Sequence, residues 1–259
     1  MSDRPSFPAR LPGRPGHVST EMSTRRQPVA PSVPGKEGGS VGESDFAHMR
    51  AHMVRKIEAQ GVGAAAVLHA LNTVHRHRFI DPALIGQAYE DTSLPIGLGQ
   101  TISKPGVVAR MCELLLGARI AQGGSLGRVL EIGTGCGYQA AVLSLVVQEV
   151  YSIERLRALH EKARANLRPF RIPNIHLLFG DGIAGYAKGA PYAGIIAAAG
   201  GDALPDEWCE QLAVGGRLVA PIAGQNGRQA LVVVDRGTMG FQRTTLEDVH
   251  FVPLKSGIA

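Results

Sequence analysis

The run VLEIGTGCGYQ, residues 129–139, constrains this chain more than any other stretch. An apolar, β-prone segment ends in an acid, Glu131, with Ile132 beside it. Three alternating glycines follow, Gly133, Gly135 and Gly137, and a helical pattern begins at Tyr138. Glycine admits positive φ and lets a ligand approach the backbone closely. The start of a helix presents unpaired N–H groups. A tight turn with no ligand is the bland reading, and three alternating glycines after a buried strand speak against it.

The surrounding chain alternates in the way such a loop requires. Arg128–Ile132, Val150–Ile153, Ile175–Phe179, Ala193–Ala199 and Arg217–Pro221 read as strands. Tyr138–Val147, Arg155–Leu167 and Pro205–Leu212 read as helices between them. Strands alternating with helices predict an α/β fold, a doubly wound and mostly parallel sheet covered on both faces. Ala230–Val234 and Phe241–Phe251 have no helix between them and predict a C-terminal antiparallel strand pair. Upstream, Val54, Ile57, Val67, Ala70, Leu71 and Val74 recur at helical spacing, as do Val107, Val108, Met111, Leu114 and Leu115. The Gly- and Pro-rich stretch from Tyr89 to Pro105 between them reads as an irregular loop, and loops that long inside a domain are usually functional.

Two ligand classes use a glycine loop of this kind. The dinucleotide fingerprint G-x-G-x-x-G/A needs a small residue where this chain has Tyr138. The G-x-G-x-G spacing suits S-adenosylmethionine, which has no pyrophosphate to cradle. Glu154 ends the next strand about 20 residues on, where an acid can accept from ribose hydroxyls; its bland reading is an exposed helix start. Gly180–Asp181–Gly182 ends the third strand, where Asp181 can accept from an adenine amino group; its bland reading is a plain turn. All three features fall at the carboxyl ends of consecutive strands, where open α/β sheets bind ligands.

Composition bounds the alternatives. With 259 residues, 44% of them hydrophobic, the chain can bury one sizeable core. Residues 1–44 carry seven prolines among Gly, Ser and Arg and predict a disordered tail ahead of one domain over 45–259. The formal net charge is +5, but the basic residues are scattered. The patches Arg164–Arg168–Arg171 and His75–Arg76–His77–Arg78 read as solvated faces, so no nucleic-acid partner is expected. Cys112, Cys136 and Cys209 are far apart and lack metal-ligand spacing; no metal is expected. Reduced thiols, no apolar run near the ~20 residues of a membrane span and no secretory h-region predict a cytoplasmic protein with no membrane partner.

Taken in order, IGLGQTIS at 96–103, VLEIGTGCGYQ at 129–139, SIER at 152–155, GDG at 180–182 and FVPL at 251–254 resemble the protein-L-isoaspartate (D-aspartate) O-methyltransferases. The resemblance runs from about residue 50 to the C-terminus, and GQTIS is its most particular motif. It implies a Rossmann-like methyltransferase fold with S-adenosyl-L-methionine as cofactor. It implies methylation of the free α-carboxylate of isoaspartyl and D-aspartyl residues in damaged proteins, the first step of their repair. Ser103 would be the active-site residue beside the reacting carboxylate. Gln100, Thr101, Ile102 and Ser103 would lie near the methyl donor, Glu131, Ile132, Gly133, Gly135 and Gly137 around its methionine and ribose parts, Glu154 at the ribose, and Asp181 and Gly182 at the adenine. Three positions depart from the family pattern: Ala193, Gly106 and Lys255.

A carboxylate nucleophile has a pKa near 4 and is ionised at pH 7. No general base is needed, which agrees with the lack of a catalytic dyad. Ser103 precedes a helical pattern and could instead be only its N-cap. Three other readings stay open at this point: a methyltransferase for a different acceptor, a cofactor-binding relative that has lost turnover, and an NAD enzyme.

Overall fold

The computed structural model describes residues 42–121, 125–224 and 227–259. The proline-rich tail lies outside the described residues except for 42–44, and there Glu43 already opens a helix. Helix α1 (Glu43–Ala59) buries Phe46, Met53 and Ile57, a stripe of one helix face. Helix α2 (Ala65–Thr73) buries Val67, Ala70 and Leu71.

The expected solvated face at His75–Arg78 turns inward in part. Arg76 and His77 are buried. The Arg76 guanidinium lies over the Tyr138 ring at 4.8 Å and donates to the Thr92 carbonyl at 3.3 Å. Charge alone suggested solvent; aromatic packing overrides it.

The stretch expected to be an irregular loop contains a hairpin. Strands β1 (Leu94–Gly97) and β2 (Gln100–Ile102) pair antiparallel, with Leu94 opposite Ile102. Leu94, Ile96 and Ile102 are buried and alternate with exposed neighbours, the period of a strand. Gly97, Leu98 and Gly99 turn the chain with positive φ. Helix α3 (Pro105–Leu116) follows, with proline at its first position, where no N–H is needed.

The glycine loop sits in a seven-stranded sheet of order β5-β4-β3-β6-β7-β8-β9. Its strands are β3 (Leu126–Ile132), β4 (Val147–Glu154), β5 (Ile175–Phe179), β6 (Tyr192–Ala197), β7 (Leu212–Ala223), β8 (Gln229–Gly237) and β9 (Gly240–Val249). The first five in that order run parallel; β7, β8 and β9 pair antiparallel. Helices α4 (Tyr138–Leu143), α5 (Arg157–Leu167) and α6 (Asp206–Gln211) connect them. Helix α4 is shorter than its expected span because Val147 is already paired, opposite Leu126, as the first residue of β4. The last strand likewise stops at Val249, short of Phe251.

Side chains of one strand divide between two cores, as the pleat demands. Val129, Ile196, Val219 and Val233 join the cluster under α1–α5. Leu130, Ile195, Leu218 and Val232 join Trp208 of α6 on the opposite face. The chain leaves β3 toward β4 and β5, then returns to β6 on the other side of β3. That reversal opens a crevice at the carboxyl ends of β3 and β6, where ligands bind in such sheets. Among the described residues no helix is long and apolar enough to cross a membrane.

Candidate active site

Gly133, Gly135 and Gly137 all adopt positive φ, at 90°, 56° and 92°. The alternating glycines thus answer a backbone demand that other residues meet only with strain. Gly133 and Thr134 both donate to the Ile153 carbonyl, at 2.9 and 3.3 Å. Gly135 donates to Glu154 Oε2 and Leu156 to Glu154 Oε1, both at 2.9 Å. The nearly buried Glu154 carboxylate therefore fixes the loop. Each of its oxygens accepts one backbone bond and keeps a free lone pair.

The cavity above this loop is lined by Gln100, Thr101, Ile102 and Ser103 of the hairpin and its exit. Ile132, Gly133, Gly135, Glu154 and Gly182 of the sheet ends complete the predicted set that lines it. The hairpin presses on the loop: a Cβ on Gly135 would stand 3.2 Å from Ile96 Cδ1. Lys162 of α5 donates to the Ile96 carbonyl at 2.8 Å and holds the hairpin there.

Three predicted residues do not line the cavity. Glu131 is fully buried and bonded to Ser152, whose hydroxyl in turn lies 2.7 Å from Thr134 Oγ1. It neighbours Ile132 in one strand, so the two side chains leave opposite faces and only one can meet the ligand side. Burial drives the Glu131 carboxyl up to about 8, opposed by the Ser152 hydroxyl and the nearby Gln139 amide. Gly137 is the N-cap of α4 and packs on α5, where a Cβ would meet Leu167 Cδ1 at 3.0 Å. Asp181 accepts from Ile183 N–H at 2.9 Å and from Gly257 N–H at 2.6 Å, so it clasps the C-terminal segment.

The cavity also has walls that sequence reasoning did not assign. Gln139 lines it, and neither atom of its nearly buried amide completes a hydrogen bond of good geometry. The glutamine stood inside the glycine motif, so its position was the available signal. Val252, Pro253, Leu254 and Lys255 form the far wall. They are held by Gly200, which donates to Val252 O at 2.8 Å and accepts from Leu254 N–H at 2.7 Å. The FVPL motif at 251–254 marks most of these residues, but their place beside the glycine loop comes from a long-range return of the chain.

Ser103 lines this cavity and also a second one, bounded by Asp91, Lys104, Gly106, Arg110, Glu247 and Phe251. It does not cap α3: the N-cap is Lys104, and no side chain makes a cap bond there. Asp91 fills the space over Gly106. It accepts from Gly106 N–H at 2.7 Å, and a Cβ on Gly106 would stand 2.9 Å from that oxygen. Ala193 lies near the amino end of β6 and lines neither cavity; Lys255 lines the first.

Known proteins resemble this chain in sequence and in fold. The family model "Protein-L-isoaspartate(D-aspartate) O-methyltransferase (PCMT)" matches residues 48–259. A Methylibium petroleiphilum protein-L-isoaspartate O-methyltransferase is 51% identical over 261 residues, covering 98% of this chain and 96% of the relative. One from Leptothrix cholodnii is 52% identical over 95% of this chain and 85% of its own length. A solved protein-L-isoaspartate O-methyltransferase superposes with TM-score 0.71 at 28% identity, over 81% of this chain and 67% of that one. A Plasmodium falciparum protein described as a β-aspartate methyltransferase, solved with S-adenosyl-L-homocysteine, has the same fold at 22% identity (TM-score 0.67, 80% of this chain and 98% of that one). The chain belongs to the protein-L-isoaspartate(D-aspartate) O-methyltransferase family.

Proposed function

We propose that this chain methylates the free α-carboxylate of isoaspartyl and D-aspartyl residues in damaged proteins, with S-adenosyl-L-methionine as donor. The residues of the first cavity fit that donor. Glu154 keeps a lone pair on each oxygen for the two ribose hydroxyls. Ile132, Ile153 and Leu156 offer apolar surface beside them. Bound donor supplies an electrophilic methyl group on a sulfonium.

The second cavity suits the peptide, and Ser103 stands where the two meet. That shared position, with a hydroxyl not used as a cap, is the observation that carries the reading. The attacking carboxylate is already ionised. One carbon–sulfur bond breaks, one carbon–oxygen bond forms, and no proton moves. Rate then comes from alignment and from excluding water. Ser103 Oγ–H orients the carboxylate by donating to it without cancelling its charge. Gln100, Thr101 and Ile102 close the cavity above the transfer. A cytoplasmic setting is supported by the three cysteines being free, and the absence of nucleic-acid partners by the scattering of Lys and Arg along the sequence.

The test is Ser103→Ala on matched isoaspartyl and aspartyl peptides. The expected result is a fall of about tenfold or more in kcat/KM for the isoaspartyl peptide, the loss of one hydrogen bond to a charged group. Affinity for S-adenosylhomocysteine should stay near wild type. Wild-type kinetics in the variant would remove Ser103 from the reaction.

A further inference from the structure

The inward turn after α2 brings together three side chains that the methyl-transfer site does not use. One ring nitrogen of His75, one of His77 and a carboxylate oxygen of Glu43, in the first turn of α1, lie within 4.8 Å of one another. We propose that Glu43, His75 and His77 form a site for a divalent transition ion of the zinc class, which ties the start of α1 to the turn at His75–Phe79.

Geometry supports a tetrahedral ion. Ligand bonds of about 2.1 Å place neighbouring ligand atoms about 3.4 Å apart. His75 Nδ1 and Glu43 Oε1 already stand 3.5 Å apart. The Glu43 side chain is exposed. His77 is held in advance: its ring stacks on Phe46 with centroids 4.0 Å apart at 19°, and its Nδ1 lies 2.7 Å from Tyr89 Oη. In the tautomer whose Nδ1 proton is directed at Tyr89, Nε2 has its lone pair free, the way metal-ligating histidines are commonly oriented. His75 stacks beside it with centroids 5.5 Å apart at 23°.

Two nitrogens and one oxygen favour zinc or cobalt over magnesium or calcium, which take oxygen ligands. Three protein ligands leave a fourth position for water. Arg50 and Arg78 oppose the ion by charge. Arg50 is engaged, with Nε on the Asn72 carbonyl at 2.6 Å and Nη1 on Tyr89 Oη at 3.4 Å. The site is therefore weaker than a structural zinc site with four protein ligands.

The experiment titrates cobalt(II) into the full chain after chelator treatment, in protein carrying His48→Ala and His52→Ala. Those two exposed histidines stand one turn apart on α1 and would bind metal themselves. One equivalent of cobalt should bind with the intense visible bands of a tetrahedral site and be displaced by zinc. Affinity should fall about tenfold or more on Glu43→Gln and on His75→Ala, two substitutions outside the core. Tyr89→Phe, which removes the hydroxyl that positions His77, should cost about tenfold. Octahedral cobalt spectra alone, or a binding curve unchanged by both His75→Ala and Glu43→Gln, would overturn the proposal.

Discussion

Glu131→Gln is expected to make the protein more stable at pH 8 and to flatten its stability between pH 5 and 8. In the folded chain the Glu131 carboxyl is fully buried, and burial raises it from its ordinary 4.5 to about 8. Its Oε2 accepts from Ser152, while Oε1 has no partner among the described residues. Below about pH 4.5 the group is protonated in both folded and unfolded chains and has no pH effect. Between 4.5 and about 8 the folded chain holds a proton that the unfolded chain has lost. Stability therefore falls as pH rises through that window. At about 1.4 kcal/mol per pH unit, the full interval amounts to at most about 5 kcal/mol. Glutamine keeps an oxygen for the Ser152 hydroxyl and does not ionise. Urea unfolding of wild type and variant at several pH values between 5 and 8 reads the difference, in which the other titrating groups cancel. The gap should widen in favour of the variant as pH rises. Parallel profiles, or a gap that widens the other way, would show that Glu131 is ionised in the folded protein and that burial does not govern it.

The remaining expectations concern the two cavities. Ser103→Ala should separate turnover from donor binding as set out above. Glu154→Ala should weaken S-adenosylhomocysteine binding by about 1–3 kcal/mol, the cost of charged-group hydrogen bonds left unmade; calorimetry giving unchanged affinity would contradict it. Gly182→Ala would place a Cβ 2.6 Å from Ile132 Cγ2. It should destabilise the fold by roughly 1–3 kcal/mol, as overpacking does; a wild-type urea midpoint would count against that crowding.

The sheet was legible because its strands are short, β-branched and separated by helical patterns, and each feature is local. The glycine loop was legible for a stronger reason: three positive-φ positions admit little else. The hairpin at Leu94–Ile102 was hidden by the Pro and Gly that usually signal irregular chain, although Leu94, Ile96 and Ile102 carry the alternation. Glu131 and Ile132 were assigned to one ligand, but adjacent strand residues face apart. Asp181 was read as a ligand acceptor, whereas its nearest donor, Gly257, comes from 76 residues away. The wall Val252–Lys255 depends on the same long-range return, and spacing within a motif holds no trace of it.

That returning segment gives the donor cavity one side that is hung and not woven. The other walls belong to the sheet, to the loop that Glu154 fixes, and to the hairpin anchored by Lys162. The segment is held by Gly200, by Gln229, which bonds both backbone groups of Phe251, by the Asp181–Gly257 bond, by Arg155 Nε, which donates to the Gly257 carbonyl at 2.8 Å, and by backbone bonds of Ala259 to Arg155 and Arg157. Each such bond contributes about 1 kcal/mol net, and Phe251 and Leu254 add packing against the two cores. This wall of the cavity is therefore set by contacts made far along the chain. A change at Gly200 or Gly257 that loosens this segment would therefore reach the cavity wall without touching the glycine loop that Glu154 fixes.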